Sequence, residues 1–285
     1  MPNIRSSNLW KLLTKNTQTK LGLIIVAGFL LVAIAEAIGG YGILRYNPTH
    51  IDVTQAYSPP SFAHPFGTTN LGQDIFSQII AGTPNDALIS FLVVAIACVV
   101  GSVVGATAGY SGGLVDDLLM RITDIFFAIP SIVLAVAISA ILGPNIVNAT
   151  IALVVIWWPA YARLARSEAL RLKNEHFIES ARLSGLNTRS IVLRHILPVA
   201  ASTILVYATL DIGTVIIVYS GLAYLGLVVR PPTPDWGAMV AWYQEFVLSS
   251  PWMPLIPAGI ILVVAAGFSM LGDGLRDALQ VEIGR

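Results

Sequence analysis

Four histidines, one cysteine and a few acidic residues are the side chains in this sequence that could do catalytic or metal chemistry. A hydrolase buried in a membrane would need a histidine on a spanning segment as base or ligand. The histidines lie instead in loops or at segment edges, and no His-Glu-x-x-His pattern occurs; they are His50, His64, His176 and His195. The single Cys98 excludes an internal disulfide and a multi-cysteine metal site. These observations argue against an enzyme.

The sequence also lacks the residues that hold the phosphates of ATP. A phosphate-binding loop ends in Gly-Lys-Ser/Thr, and no Gly-Lys pair occurs in this chain. We therefore expect no cofactor in this chain. If ATP drives its activity, ATP and Mg²⁺ must bind to other subunits.

Asp211 lies near the middle of an apolar stretch that runs from residue 197 to 224. A carboxylate at the bilayer centre costs about 2.5–3.5 kcal/mol on insertion scales, so it should face water or a polar partner. Asp211 therefore either lines a translocation path, which we favour, or makes a hydrogen bond in a helix–helix contact. Two other classes stay as distant alternatives: an intramembrane protease that pairs Asp211 with Asp124, and a secondary transporter that relays protons.

The segment from about 162 to 196 is too polar to span a membrane, yet it has the pattern of a short helix. Asn174 is a candidate N-cap and Gly185 a candidate C-terminal stop. Four residues are expected to form an apolar stripe: Phe177, Ile178, Ala181 and Leu183. Such a helix either enters a groove on a partner protein or lies on lipid headgroups, which its arginine content favours. The residues alone leave both interpretations open.

Six apolar stretches must position these residues, because a spanning helix needs about 20 mostly apolar residues. The predicted spans are residues 21–44, 87–110, 122–142, 146–164, 197–224 and 253–271. Pro130 and Pro159 interrupt backbone hydrogen bonding in the third and fourth spans and are expected to kink them. Tryptophans near the predicted interfaces are expected to anchor the helices there; they are Trp157, Trp158, Trp236, Trp242 and Trp252.

Composition agrees with an integral membrane protein. Of the 285 residues, 55% are hydrophobic and 11% are charged, whereas soluble chains carry about 25% charged residues. Sixteen basic residues balance sixteen acidic ones, so the positive excess that nucleic-acid binding needs is missing.

Basic residues predict the orientation, because Lys and Arg beside the spans stay cytoplasmic. All of them except Arg45 and Arg230 fall in the tails or in the loops on one side. Both termini are therefore predicted to be cytoplasmic. The expected division is a tail at 1–20, a first span at 21–44, an extracytoplasmic segment at 45–86 and a core at 87–285.

The polar segment at 162–196 resembles the EAA motif of permease subunits of ABC importers. That motif reads EAA, three residues, Gly, nine residues, Ile, any residue, Leu-Pro. The matching positions are Glu179, Ser180, Ala181, Gly185, Leu197 and Pro198. Ser180 stands at the second motif position and His195 at the position of the Ile. His195 followed by Ile-Leu-Pro is similar to the dipeptide, oligopeptide and nickel branch of these permeases.

Three further segments are similar to the same branch and occur in its order. They are His64 to Thr68 with Leu71 to Asp74, Tyr224 to Leu227 with Pro234 to Gly237, and Leu271 to Asp277. The resemblance spans residues 64 to 279 and is closer to the second, C-type permease of the pair than to the first.

The resemblance implies an all-α polytopic membrane protein with six transmembrane helices in the type I ABC importer (MetI-like) fold. Its function would be that of a permease forming half of the translocation path for di- or oligopeptides, with oligosaccharides, nickel or glutathione as alternative solutes. The implied partners are a homologous second permease, two ATPase subunits, an extracytoplasmic solute-binding protein and the lipid of the cell membrane.

The same resemblance implies that the loop at 162–196 couples the permease to the ATPase. The implied coupling residues are Glu175, Phe177, Ile178, Glu179, Ser180, Ala181, Arg182 and Gly185. Glu179 either helps to fix the helix in the ATPase groove or forms a solvated pair with Arg182, which is worth about 0.2–0.5 kcal/mol. Gly185 fits a left-handed helix end, so any side chain there is expected to tilt the docking helix.

Overall fold

The computed structural model describes residues 16–283, with the surroundings of the side chains described as far as residue 278. The α-helices are α1 (Thr17–Gly39), α2 (Ile75–Ser111), α3 (Gly113–Phe127), α4 (Ser131–Leu142), α5 (Ile146–Leu172), α6 (His176–Leu183), α7 (Thr188–Ile191), α8 (Leu197–Tyr224), α9 (Trp236–Tyr243) and α10 (Trp252–Ile283). A π-helical turn at Val192–Ile196 joins α7 to α8. Within the described range the fold is therefore all-α, as predicted.

Five helical segments are long and apolar enough to cross a membrane: α1, α2, α5, the run from α7 through α8, and most of α10. The third predicted span, at 122–142, is not one straight helix. In its place α3 and α4 meet at an angle of 85°. Pro130 is the N-cap of α4, and its missing N–H prevents the helix from continuing through it. The bent pair counts as at most one crossing, so the described chain has five or six spans. Pro159, by contrast, lies inside an uninterrupted α5.

The predicted division of the chain into a tail, a first span, an outer segment and a core stays a prediction. Residues 1–15 and 284–285 lie outside the described part, together with four of the basic residues used for the orientation: Arg5, Lys11, Lys15 and Arg285. α1 and α2 begin at Thr17 and Ile75, earlier than the sequence predicts. At 37 residues, α2 is about 55 Å long and exceeds the ~30 Å hydrocarbon core.

Small residues bring α2 and α5 into close contact along α2's last turns. Gly101, Gly105 and Gly109 follow one another on the same face of α2. A Cβ on Gly101 would lie 2.6 Å from Tyr161 Cβ, and one on Gly109 would lie 2.6 Å from the Arg166 carbonyl oxygen. Glycine thus allows the two backbones to approach, as in other membrane helix pairs. The contact fixes α5 against α2.

Two arginines on α5 tie the bent pair to this unit. Arg166 donates two hydrogen bonds to the Asp116 carboxylate on α3, at 2.6 and 2.7 Å. Arg163 donates to Asp124 at 2.7 Å, and its guanidinium lies 3.8 Å from the centroid of the Phe127 ring. Bidentate Arg–carboxylate pairs hold a fixed geometry, so α3 is expected to follow α5.

α10 packs between α1 and α8. A Cβ on Gly22 of α1 would lie 2.8 Å from the carbonyl oxygen of Gly267, and one on Gly213 of α8 would lie 2.7 Å from that of Ala265. Phe29 and Phe268 meet edge to face at 5.9 Å between ring centroids, a favourable aromatic geometry. These contacts complete one helical core.

The segment that precedes α2 is organised by Asp74. As the N-cap of α2, its carboxylate accepts hydrogen bonds from the Ser77 amide at 2.8 Å and the Ser77 hydroxyl at 2.6 Å. His64 Nδ1 lies 2.8 Å from the other carboxylate oxygen, and its ring stacks on Tyr46 at 4.7 Å. The chain that leads into α2 is thus fixed to the helix end.

Candidate coupling surface and midspan carboxylate

The short helix predicted at 174–185 is α6, which runs from His176 to Leu183. The predicted cap was wrong, because Glu175 and not Asn174 is the N-cap, and it makes no side-chain cap bond. The Glu175 amide instead donates to the Leu172 carbonyl at 3.0 Å. This turn leads from the end of α5 directly into α6, so the position of α6 depends on that of α5.

Gly185 ends α6 in the manner that the sequence predicts. Its φ is +76°, in the left-handed region that glycine adopts with least strain. The Gly185 amide donates to the Arg182 carbonyl at 3.0 Å, and the Leu186 amide donates to the Ala181 carbonyl at 3.3 Å. This bonding pattern is a Schellman motif, which satisfies carbonyl groups at a helix end. No other atom lies within 4 Å of a Cβ built on Gly185, so a side chain there would be strained by its backbone and not by a clash.

The predicted apolar stripe was wrong, since its four members divide between two faces of α6. Ile178 and Ala181, which share a face, are buried in the core. Phe177 is 41% exposed and Leu183 is 84% exposed. One face therefore holds α6 against the rest of the protein, and the other leaves large apolar side chains exposed.

Glu179 does not pair with Arg182. Its carboxylate lies 3.9 Å from His176 Nδ1, with the Glu179 side chain 67% exposed. The Arg182 guanidinium lies 5.7 Å from the centroid of the Tyr110 ring, near the end of α2, where a cation–π contact is favourable. Ser180 donates from its hydroxyl to the His176 carbonyl at 2.9 Å. Glu179 is thus a negative charge open to solvent, while Arg182 contacts the helix unit formed by α2 and α5.

A groove of about 520 Å³ adjoins the end of α6. Its lining residues are Gly185, Leu186, Asn187, Arg189, Ser190, Leu193 and Arg194. Sequence reasoning did not identify the groove, although its residues follow the motif glycine. We call this groove, together with the exposed residues Phe177, Glu179 and Leu183, the coupling surface. It combines apolar side chains with charges of both signs, as protein-binding surfaces do.

Asp211 has a polar partner within the span. The Trp157 indole N–H on α5 donates to its carboxylate at 3.0 Å, and Asp211 is partly buried. One turn away on each helix, Tyr161 and Tyr207 meet edge to face at 5.4 Å between centroids. The prediction of Trp157 as an interfacial anchor was wrong, and so was that of Trp236, which is 1% exposed. The contact has the features of a packed helix pair, and partial exposure leaves room for a role in a path.

α5 is the element that connects the two sites. Trp157 contacts Asp211, and Leu172 at the end of the same helix precedes α6. At 1.5 Å per residue these positions are about 22 Å apart along the helix. Among the described residues no group of three or more His, Cys, Asp or Glu is arranged to bind a metal ion.

Comparison with known proteins supports the same family throughout. Residues 101–281 match the model of the binding-protein-dependent transport system inner membrane component. A dipeptide transport system permease of Alkalihalophilus pseudofirmus is 41% identical, over 96% of this chain and 89% of the relative. A probable D,D-dipeptide transport permease of Escherichia coli is 39% identical over 85% and 81%, and a glutathione transport permease of that species is 41% identical over 90% and 84%.

The fold also matches a solved structure. The inward-facing MetNI methionine ABC transporter gives a TM-score of 0.57 at 20% identity, covering 72% of this chain and 96% of the matched chain. At that identity the likeness concerns the fold, and it confirms the predicted MetI-like architecture. Fold and sequence agree, and the chain belongs to the family of binding-protein-dependent transport system inner membrane components.

Proposed function

We propose that this chain is one of two permease subunits of an ATP-driven ABC importer for di- or oligopeptides. The observation that carries the proposal is the family membership over most of the chain. The relatives described above are named for dipeptides, D,D-dipeptides and glutathione. Since glutathione is a tripeptide, all three solutes belong to one chemical class. This favours peptides over oligosaccharides or nickel.

The coupling surface supports docking to a separate ATPase. Phe177 and Leu183 expose apolar area on a helix whose opposite face is fixed in the core. Such a helix offers anchors for a complementary groove. Because the sequence lacks a phosphate-binding loop, ATP and Mg²⁺ belong to two ATPase subunits, and this chain carries no cofactor. Both termini and α6 then lie on the cytoplasmic side of the cell membrane.

The proposed mechanism transmits movement of α6 through α5. Closure of the ATPase dimer displaces α6, and α5 follows because the connection between the two helices is a single turn. α2 and α3 move with α5 through the glycine contact and the Arg166–Asp116 pair. The permease pair then opens alternately outward and inward. ATP shifts this equilibrium only through contacts that differ between the two states.

Asp211 is proposed to line the path at the level where α5 and α8 meet. Its bond to Trp157 supplies the polar partner that a carboxylate needs in a bilayer. The residue is not fully buried, as a residue that lines a path must not be. A second permease and an extracytoplasmic binding protein complete the enclosure and deliver the solute.

The proposal is tested by reconstituting the chain with its companion permease, ATPases and binding protein in vesicles. A mixture of dipeptides, tripeptides and oligosaccharides is supplied with ATP inside or outside, and the accumulated solute is identified by mass spectrometry. We expect peptide accumulation that requires ATP on the ATPase side and the binding protein on the other. Equal accumulation by the chain alone, without nucleotide, would refute the proposal, and accumulation of oligosaccharide alone would refute the solute class.

A further inference from the structure

Asp86 lies in the buried contact between α2 and the N-terminus of α9. Its exposure is 0%. One turn earlier on α2, a Cβ on Gly82 would lie 3.4 Å from the Cα of Asp235. The Trp236 indole N–H also donates to the Ile79 carbonyl on α2 at 2.9 Å. The first turn of α9 is thus pressed against the same face of α2 that carries Asp86.

α8 closes the other side of this contact. A Cβ on Gly237 would lie 2.6 Å from the Cα of Ser220, so α9 also packs directly on the α8 backbone. Ser220 and its neighbour Tyr219 are both buried, and the Ser220 hydroxyl has no hydrogen-bond partner. Three elements therefore enclose the region, which we call the outer junction: Asp86 with Gly82 on α2, Tyr219 with Ser220 on α8, and Asp235 to Gly237 at the start of α9.

Both carboxylate oxygens of Asp235 accept hydrogen bonds within the outer junction. It is the N-cap of α9, where one oxygen accepts from the Ala238 amide at 3.0 Å and the other accepts from the Tyr219 hydroxyl at 2.9 Å. Two donors and a position at a helix N-terminus both favour the ionised form of a carboxylate. Asp235 therefore has the donors that a negative charge in the outer junction would need.

Asp86 lacks comparable hydrogen bonds. The Trp236 amide faces it, but neither carboxylate oxygen meets the geometry of a hydrogen bond, and among the described residues no Lys, Arg or His forms an ion pair with it. The titratable groups that face it are Asp235 from α9 and Tyr219 from α8. Both are acids, so an ionised Asp86 would be a buried, unpaired charge next to a like charge.

We propose that Asp86 is a proton-binding site, and that the proton it holds keeps α2 packed against α9 in the assembled permease. An inorganic cation is a poorer occupant, because such ions need several oxygen ligands and both oxygens of Asp235 are already engaged. Loss of the proton would place two like charges in the outer junction and weaken it. The junction therefore loosens as the pH rises.

Infrared spectroscopy of the reconstituted complex tests the site directly. A protonated carboxylic acid gives a carbonyl stretch that a carboxylate lacks, so we expect that band at neutral pH and its loss in Asp86→Asn. The matched control is Asp52→Asn, because hydrogen bonds from Thr54 hold the pKa of Asp52 below its usual value and keep it ionised. A wild-type spectrum without the band, or a band retained in Asp86→Asn, would overturn the proposal.

Thermal unfolding across pH supplies a second measurement. Above pH ~4 an unfolded chain releases the proton of an aspartic acid, whereas the folded junction keeps it, so stability falls as the pH rises. We expect this pH dependence to shrink in Asp86→Asn and to persist in Asp52→Asn. Asp86→Ser replaces Asp86→Asn if that variant assembles poorly. If exchanging sodium and potassium for choline destabilises the wild type but not Asp86→Asn, the occupant is a metal cation and the proposal fails.

Discussion

The coupling surface and the outer junction are built in opposite ways. At the coupling surface large apolar side chains and the Glu179 carboxylate are open to solvent, and one face of a two-turn helix holds the structure in place. In the outer junction Asp86, Trp236 and Tyr219 are almost completely buried, and Asp235 satisfies both its oxygens within the chain. The first region exposes the surface on which we propose that a partner protein docks, whereas the second is proposed to need only a proton.

The largest effect is expected from disrupting the contact between α2 and α5, the helices that join the two regions. In Gly105→Leu the new Cβ would collide with the Ala162 backbone; overpacking typically costs about 1–3 kcal/mol, and backbone contact adds to this. We expect loss of the assembled complex, measured by size-exclusion chromatography and thermal unfolding. Gly28→Leu is the control, because no atom lies within 4 Å of a Cβ at that position. Similar loss in both variants would mean that the glycine contact is not specific.

Substitution of Gly185 tests whether the position of α6 couples ATPase activity to uptake. A bulky residue at φ +76° costs about 1–2 kcal/mol, which corresponds to about a tenfold change in equilibrium. We expect Gly185→Arg to insert and assemble normally, with uptake and solute-stimulated ATPase activity falling together. Gly185→Asn is the control because asparagine tolerates this backbone conformation. If Gly185→Arg keeps normal uptake, α6 is not the coupling element.

Glu179 tests the charge on the coupling surface without disturbing its backbone. We expect Glu179→Lys to reduce uptake and ATPase stimulation together, by a few-fold. The lysine would face the basic groups expected to pair with Glu179 on the docked ATPase, and like charges oppose docking. Glu245→Lys reverses another exposed charge, next to α9, and should leave both activities unchanged. Equal effects from the two variants would point to a general charge effect.

Asp211 has the smallest expected effect on assembly. Asp211→Leu removes the hydrogen bond from Trp157, a loss of about 1 kcal/mol in stability, while it takes a carboxylate away from the proposed path. We therefore expect altered uptake kinetics with the permease pair intact, compared with Trp157→Phe, which removes the donor alone. If Asp211→Leu dissociates the pair, the residue is structural.

The fold class and the family could be predicted because they depend on local patterns. Apolar length identified the spans, and the spacing of Glu179, Gly185 and Pro198 identified the permease family. Gly185 could be assigned a left-handed backbone because glycine is the usual residue at such a helix end. The roles of the coupling residues and of Asp211 remain predictions.

Features set by distant parts of the chain could not be predicted. Pro130 signalled a kink, but the sharp bend between α3 and α4 accompanies arginine pairs with α5. Ile178 is buried because the core lies on one side of α6. The spacing of apolar residues along the helix does not reveal which side that is. Asp86 passed unnoticed, since its surroundings are created by Asp235, which is remote in sequence.

The glycine-lined contact between α2 and α5 also has a mechanical consequence. Two helices packed backbone to backbone bend less than a single helix does. α2 and α5 are therefore expected to move as one rigid unit. Over the ~55 Å length of α2, a tilt of about 5° displaces the far end by about 5 Å. A displacement at the Tyr110 end, which Arg182 contacts, would therefore also displace Asp86. In the proposed mechanism, the protonation of Asp86 would in turn affect how easily the ATPase-driven movement is completed.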